Sequence, residues 1–282
     1  MDRDLLWDCL GRLGITDPLL SVLRSMYSNV RLQVRMHGSL GTSFPSVVGV
    51  KQGDPLSPLL FGLLIDRMEL FFRSKLPDVG AQLLDTLIQL LLYADDVAQC
   101  SISPAQTQDL LDCLSKFSAA SKLTVSVKKS EVMVFKSHMS NHNTQHNFHY
   151  NGSPITVTSS FTYLGNVVVD GDAAYRSQTA FNAMFLKAQK TYNMSYGKWR
   201  TMEIHNVDLT LHLFDSLVRP VLNFGAEVWG PAMLKLSTIT TDHACESWHR
   251  KVLKRAVGVS PSTPTHILME ELGRLPLCFL TG

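Results

Sequence analysis

"LLYADDVAQC", residues 91–100, sets two adjacent carboxylates, Asp95 and Asp96, inside an otherwise apolar run. The flanks read as two short buried strands over 87–93 and 97–102, with Ala94, Asp95 and Asp96 at the bend between them. Two like charges side by side against apolar flanks are costly unless a cation neutralises them. Mg²⁺ suits such a place, because it takes a few carboxylate oxygens together with waters and substrate phosphates. A pair of such ions can activate an attacking oxygen and stabilise a leaving one, so the chemistry favoured is phosphoryl transfer.

Upstream, "GVKQGDPLSPLLF", residues 49–61, has the same concentration of unusual chemistry. Ser57-Pro58 reads as a cap and first turn of a helix that is apolar nearly all round through Phe72, and therefore packed deep. Gln52-Gly53-Asp54-Pro55 ahead of it is turn chemistry in which a glycine without a side chain lets a ligand approach the backbone. A turn with no ligand reads equally well from these residues.

Between the N-terminus and this segment the chain alternates helix and strand. Leu5, Leu6, Cys9, Leu10 and Leu13 keep helical spacing after Asp2 and Asp4, and Asp17-Pro18 opens a short helix through Tyr27. From Val30 the period changes to two. Val30, Leu32, Val34 and Met36 alternate with Arg31, Gln33, Arg35 and His37, a half-buried strand whose other face is basic and either solvated or laid against a nucleic-acid backbone.

Composition sets the frame for these motifs. The 282 residues are 45% hydrophobic, enough for a real core in one large domain or two modest ones. No run reaches the roughly 18 apolar residues of a membrane span, and "MDRDLLW" has no signal-peptide pattern, which suggests an intracellular protein without a membrane partner. Five scattered cysteines without a CxxC pair signal neither a disulfide framework nor a zinc ribbon. Charge is uneven: from Arg176 onward there are 12 Lys/Arg against 8 Asp/Glu, a weak hint of a polyanion partner in the C-terminal part.

Taken together and in this order, the two motifs resemble the reverse transcriptase domain of non-LTR (LINE-type) retrotransposons. The resemblance makes 49–61 palm motif B and 91–100 motif C, whose Tyr93-Ala94-Asp95-Asp96 box carries two of three catalytic carboxylates. It implies that Asp95 and Asp96 ligate metal, with Asp95 the more important, and that Gln52, Gly53 and Tyr93 lie against template and incoming nucleotide. "LTVSVKKSEVMVF", residues 123–135, resembles motif D, and Lys129 matches the lysine near the nucleotide phosphates. "FTYLGNVVVDGD", residues 161–172, resembles the motif E primer-grip hairpin, with Leu164 and Gly165 at its turn.

Beyond it the chain turns helical. Phe181, Met184, Phe185, Ala188 and Tyr192 keep one face, as do Trp248, Val252, Leu253, Ala256 and Val257, fitting the helical thumb of such enzymes. Arg250, Lys251, Lys254 and Arg255 cluster away from the apolar stripe, where they either track template–primer phosphates or form a solubilising face. The series His138, His142, His146 and His149 reads as a solvated loop rather than a metal site, and His243, Cys245 and His249 lack a fourth ligand at zinc spacing.

The expected fold is α+β: a partial right-hand polymerase palm over 1–175, an antiparallel sheet packed on helices, followed by a helical thumb over 176–282. The implied cofactor is Mg²⁺, two ions in intact relatives, with Mn²⁺ as the alternative. The implied partners are an RNA template, a DNA primer and deoxynucleoside triphosphates, and the family implies a nuclear location. In the family, motif A supplies the third aspartate just upstream of the helix that "DRDLLWDCL" resembles. The resemblance therefore begins late. Asp2, Asp4 and Asp54 are not expected to substitute, so little polymerisation is expected unless an upstream polypeptide supplies motif A.

Overall fold

The computed structural model describes residues 1–135, 146–235, 243–275 and 277. They form two compact units, Met1–Val132 with Asn143–Val157, and Met133–His142 with Thr158–Gly282. Helices mix with small antiparallel sheets, an α+β architecture.

The first unit begins with α1 (Arg3–Arg12) and α2 (Leu19–Ser28). Asp2 caps α1 by accepting from the amides of Asp4 and Leu5, and its other oxygen pairs with Lys122 at 2.7 Å. Leu6, Trp7, Cys9 and Leu10 of α1 bury against Leu23 and Tyr27 of α2 and against Leu60 and Leu64 of α3 (Ser57–Lys75). Between α2 and α3 runs a ribbon of four short strands, β1 (Arg31–Leu32), β2 (Arg35–Met36), β3 (Ser39–Leu40) and β4 (Phe44–Pro45). β1 pairs with β4 and β2 with β3, both antiparallel.

This ribbon corrects the half-buried strand expected from the alternation at 30–36. Leu32, Val34 and Met36 are exposed, Met36 at 69%, because no second layer in the described residues covers their face. A second correction concerns α3. It buries Leu60, Leu64, Ile65, Met68 and Phe72 on one side and leaves Leu59 and Leu70 exposed on the other, so it is not packed all round.

After α3 come two hairpins, β5 (Ala81–Leu83) with β6 (Thr86–Ile88), and β7 (Leu90–Tyr93) with β8 (Asp96–Gln99). α4 (Pro104–Ala120) follows, capped by Ser103 with Pro104 in its first turn, and buries Leu110, Leu111, Leu114 and Phe117 as its spacing predicts. A 3₁₀ turn, Val127–Lys129, leads into a three-stranded sheet ordered β10–β11–β9, with β9 at Glu131–Met133, β10 at Phe148–Tyr150 and β11 at Ser153–Thr158. His138 and His142 of the histidine series lie outside the described residues. His149 sits in β10, exposed, with its backbone bonded to Gln108.

The second unit opens with the hairpin β12 (Ser160–Tyr163) and β13 (Asn166–Val169). Helices then take over: α5 (Ala173–Thr201), α6 (Val207–Leu213), a π-helical turn at Phe214–Val218, α7 (Arg219–Leu222), α8 (Ala226–Lys235), α9 (Ala244–Val257) and α10 (Thr265–Glu271). Their core holds Phe181, Ala188, Tyr192, Trp199, Phe214, Val218, Leu222 and Trp229. Each aromatic meets another edge-on or tilted, as in Phe181 with Trp229 at 5.3 Å and Tyr192 with Trp248 at 5.8 Å. Cys9, Cys100, Cys113 and Cys245 are free thiols, and no described helix is long and apolar enough to cross a membrane.

Candidate functional site

The two carboxylates stand at the tip of the β7–β8 hairpin. Leu92 pairs with Val97 and Tyr93 with Asp96, so Ala94 and Asp95 alone close the turn and Asp96 is the first residue of a strand. Ala94 has φ of 51°. Positive φ at the first central position is what a two-residue hairpin turn demands, and glycine is its usual occupant. An alanine there is strained.

Asp95 and Asp96 are both exposed, which corrects the partly desolvated pair expected from the apolar flanks. Leu92 and Val97 are only half-buried, since the hairpin is a ribbon of two strands. Neither carboxylate has a hydrogen bond or ion pair among the described residues, so both keep their oxygens for an incoming ligand. Tyr93 is 62% exposed beside Asp96.

Two glutamines that the sequence did not mark hold this hairpin. Gln89 is buried; its side-chain nitrogen donates to the carbonyls of Leu76 and Val79, and its backbone carbonyl accepts from the Cys100 amide at 2.9 Å. Gln99 donates to the carbonyl of Leu110 in α4 at 3.2 Å. The base of the hairpin is thus tied to the end of α3 on one side and to α4 on the other. A groove of about 380 Å³ runs along the turn, lined by Pro58, Leu59, Gly62 and Asp66 of α3 and by Leu92 and Ala94. A larger cleft of about 710 Å³ between α1, α2 and the start of the 45–48 loop includes none of the expected site residues.

Gln52 and Gly53 are the corner of a type II turn. The Asp54 amide donates to Lys51 across 3.3 Å, and Gly53, at the third position, has φ of 83° with open space where a Cβ would stand. Both corner residues are exposed. Ser57 does not cap α3 as expected: it is buried, and its hydroxyl donates to the Lys51 carbonyl at 2.6 Å. Leu56 is the N-cap residue, with no side-chain cap bond, and Asp54 fixes the turn ahead of it by accepting from the Leu56 amide at 2.9 Å. Arg3 supports the whole loop from behind, donating to the carbonyls of Gly49 and Tyr27, while Lys51 lies over the Tyr27 ring at 5.1 Å. No spacing rule in the sequence marked Arg3 for this work.

The remaining candidates are spread more widely. Lys129 ends the 3₁₀ turn, exposed, and no bond joins its ammonium to Asp95 or Asp96. Leu164 and Gly165 close the β12–β13 hairpin with φ of 47° and 85°, a type I′ turn. That turn is fastened to the helices. Lys187 donates to the Gly165 carbonyl at 2.9 Å, and a Cβ at Gly165 would lie 3.1 Å from the Phe224 ring.

On α9 the four basic residues are not equally available. Lys254 donates to the Pro261 carbonyl at 2.6 Å, Arg255 lies over the Tyr196 ring at 5.3 Å, and the charge of Arg250 weakly disfavours protonation of the buried His249. Lys251 is exposed. His243 caps α9 by accepting from the Cys245 amide at 3.2 Å, and His249 stacks on Phe214, so both have structural partners.

Among the described residues no group of three or more His, Cys, Asp and Glu could hold a metal. Asp95 and Asp96 offer hard oxygen donors of the kind Mg²⁺ takes, but only two of its several positions.

Residues 2–168 match the protein-family model described as "Reverse transcriptase (RNA-dependent DNA polymerase)". The chain is 29% identical over 107 residues to the Pol polyprotein of the type-2 retrotransposable element R2DM of Drosophila melanogaster, covering 38% of this chain and 10% of that protein. It is also 29% identical over 122 residues to the Pol polyprotein of the type-1 retrotransposable element R2 of Popillia japonica, covering 43% of this chain and 17% of that one. A 149 kDa protein of the Xenopus laevis transposon TX1 is 26% identical over 130 residues, 46% of this chain and 10% of its own length.

Proposed function

The chain belongs to the reverse transcriptase family, as a domain of the non-LTR retrotransposon kind, and from that premise we propose which of its residues would serve RNA-directed DNA synthesis. The observation that carries the reading is the β7–β8 turn, where Asp95 and Asp96 project unpaired beside a groove. In this reading the first unit is what these residues hold of a palm, β12–β13 is the primer-grip hairpin, and α5 onward is the thumb.

Asp95 and Asp96 would hold Mg²⁺, or Mn²⁺ in its place. When bound, the metal would offset the negative charge of the triphosphate and make the primer hydroxyl easier to deprotonate for attack. The type II turn at Gln52-Gly53 would meet template and nucleotide: its amide corner is exposed, and the missing Cβ leaves the backbone open to a base or sugar. The exposed phenol of Tyr93, paired across from Asp96, would border the same place. Lys129 would lend its proton to the departing pyrophosphate, and Arg250, Lys251, Lys254 and Arg255 would face the template–primer duplex.

Two carboxylates would hold one cation loosely. A second ion would call for a further carboxylate beside Asp95 and Asp96. We therefore propose that these 282 residues by themselves bind an RNA–DNA hybrid but extend it poorly, and that a third carboxylate reaches the turn from another polypeptide segment.

Primer extension on an RNA template with Mg²⁺, alongside hybrid binding, tests this reading. Salt-sensitive binding with little extension is the expected result. Robust extension abolished by Asp95→Asn would show that the site is already complete. Extension indifferent to Asp95→Asn, or no hybrid binding by folded protein, would overturn the assignment.

A further inference from the structure

The exposed turn at Gln52-Gly53 stands on a buried foundation. Lys51 is the first residue of that turn, and both lone pairs of its carbonyl are taken: the Asp54 amide closes the turn at 3.3 Å, and the Ser57 hydroxyl donates at 2.6 Å. Ser57 has one proton to give, and it goes to Lys51. In the pair that Ser57 forms with the Tyr27 hydroxyl at 3.3 Å, Tyr27 is therefore the donor. Both residues are buried.

Tyr27 gathers the rest of the loop as well. Its ring carries the Arg3 guanidinium at 5.4 Å and the Lys51 ammonium at 5.1 Å, and it meets Trp7 edge-on at 5.8 Å. Its backbone carbonyl accepts from Arg3 at 2.8 Å, and the same guanidinium donates to the Gly49 carbonyl at 2.9 Å. Packing alone does not call for a tyrosine here. Leu6, Leu10, Leu23, Leu60 and Leu64 fill the surrounding core with aliphatic side chains, and a phenol among them is costly unless its hydroxyl finds a partner. The partner it finds leads to the turn.

We propose that Tyr27 and Ser57 are positioning residues for ligand contact at the Gln52–Gly53 turn. The phenol orients the Ser57 hydroxyl, Ser57 fixes the Lys51 carbonyl, and the Tyr27 ring holds the Lys51 ammonium inward. The backbone corner at Gly53, rather than the neighbouring cation, is then what the turn presents. A corner held in place beforehand costs less to order on binding. The proposal rests on the reading that this turn meets template and nucleotide, and it adds to that reading a residue of α2 that touches no ligand itself.

The test is RNA–DNA hybrid binding by the full chain, comparing wild type with Ser57→Ala, Tyr27→Phe and a control, Ser118→Ala, which removes a buried hydroxyl on α4. Melting curves verify the fold of each. Ser57→Ala should weaken binding about fivefold and Tyr27→Phe about twofold, with the control unchanged. The same substitutions in a Gly53→Ala background separate positioning from general loosening. With the corner already altered, Ser57→Ala should cost less than about twofold more. Fully additive losses would overturn the positioning role, as would unchanged binding by folded Ser57→Ala, with hybrid binding itself left intact. Should Ser57→Ala fail to fold, Tyr27→Phe with and without Gly53→Ala decides by the same criterion. Wild type that binds no hybrid would overturn the reading on which the proposal rests.

Discussion

Tyr93 stands directly across the β7–β8 hairpin from Asp96, which leaves Ala94 and Asp95 alone to turn the chain. Ala94 therefore holds a φ of 51° that its own Cβ disfavours. Glycine there would relieve the strain at some cost in unfolded-chain entropy, for a net gain of about 0.5 kcal/mol. Ala94→Gly should melt at the same temperature as wild type or slightly above it, and Ala94→Val well below. A clear loss of stability in the glycine variant would mean that the turn is not strained.

Gly225 is the tightest close approach in the second unit. A Cβ built on it would stand 2.3 Å from the Asn166 side-chain oxygen, and its φ is 73°. Gly225→Ala should destabilise the protein by about 2 kcal/mol or more, through overpacking and strain together. Pairing it with Asn166→Ala should recover part of the loss in thermal melts. Full tolerance of the single substitution would show that β13 does not pack against this residue.

His249 gives the stability a dependence on pH. Its ring is 2% exposed, and burial, with Arg274 next in effect, brings its pKa down from 6.5 to about 4; Arg219 and Arg250 act in the same direction and Asp215 against it. Glu246 lies beside it, 3.9 Å from Nδ1. The folded protein resists protonating this ring while the unfolded chain does not. The stabilisation is therefore complete above pH 6.5 and is lost as pH falls toward 4, by about 3 kcal/mol. Denaturant melts between pH 7 and 4 should show this loss, and His249→Phe should flatten it. A slope that is unchanged in the variant would assign the acid sensitivity elsewhere.

Gly53 offers a prediction on the ligand side. Its φ of 83° makes Gly53→Ala cost about 1 kcal/mol, yet the space around it is open and the variant should fold. If the turn meets a base or sugar, the added methyl should weaken template–primer binding more than it weakens the fold. Equal binding by Gly53→Ala would make the turn a purely structural element.

What the sequence made legible follows from how local each signal is. The cap at Asp2 and the helical face of α5 are set by neighbours a few residues away, and each lies where its pattern puts it, while the hairpin turn at Leu164–Gly165 lies where the resemblance puts it. The exposure of Leu32, Val34 and Met36 could not be read, because alternation describes two faces without saying whether a second layer covers either. Ser57 looked like a cap because Ser-Pro commonly is one, but a buried hydroxyl takes the nearest carbonyl, here that of Lys51. The supports of the candidate site were silent for the same reason. Arg3 reaching Gly49, Gln89 reaching Val79 and Lys187 reaching Gly165 join residues distant in sequence, and nothing in their own neighbourhoods marks them.

In the proposed reading the turn bearing Asp95 and Asp96 would be a metal-binding corner of a polymerase site. Mn²⁺ is a magnetic substitute for Mg²⁺, and its binding to the full chain in the presence of an RNA–DNA hybrid can be followed by electron paramagnetic resonance. The expected result is weak, saturable binding by wild type that is lost in Asp95→Asn and reduced in Asp96→Asn, with the fold and hybrid affinity of both variants preserved. Identical Mn²⁺ binding by wild type and both variants would contradict it.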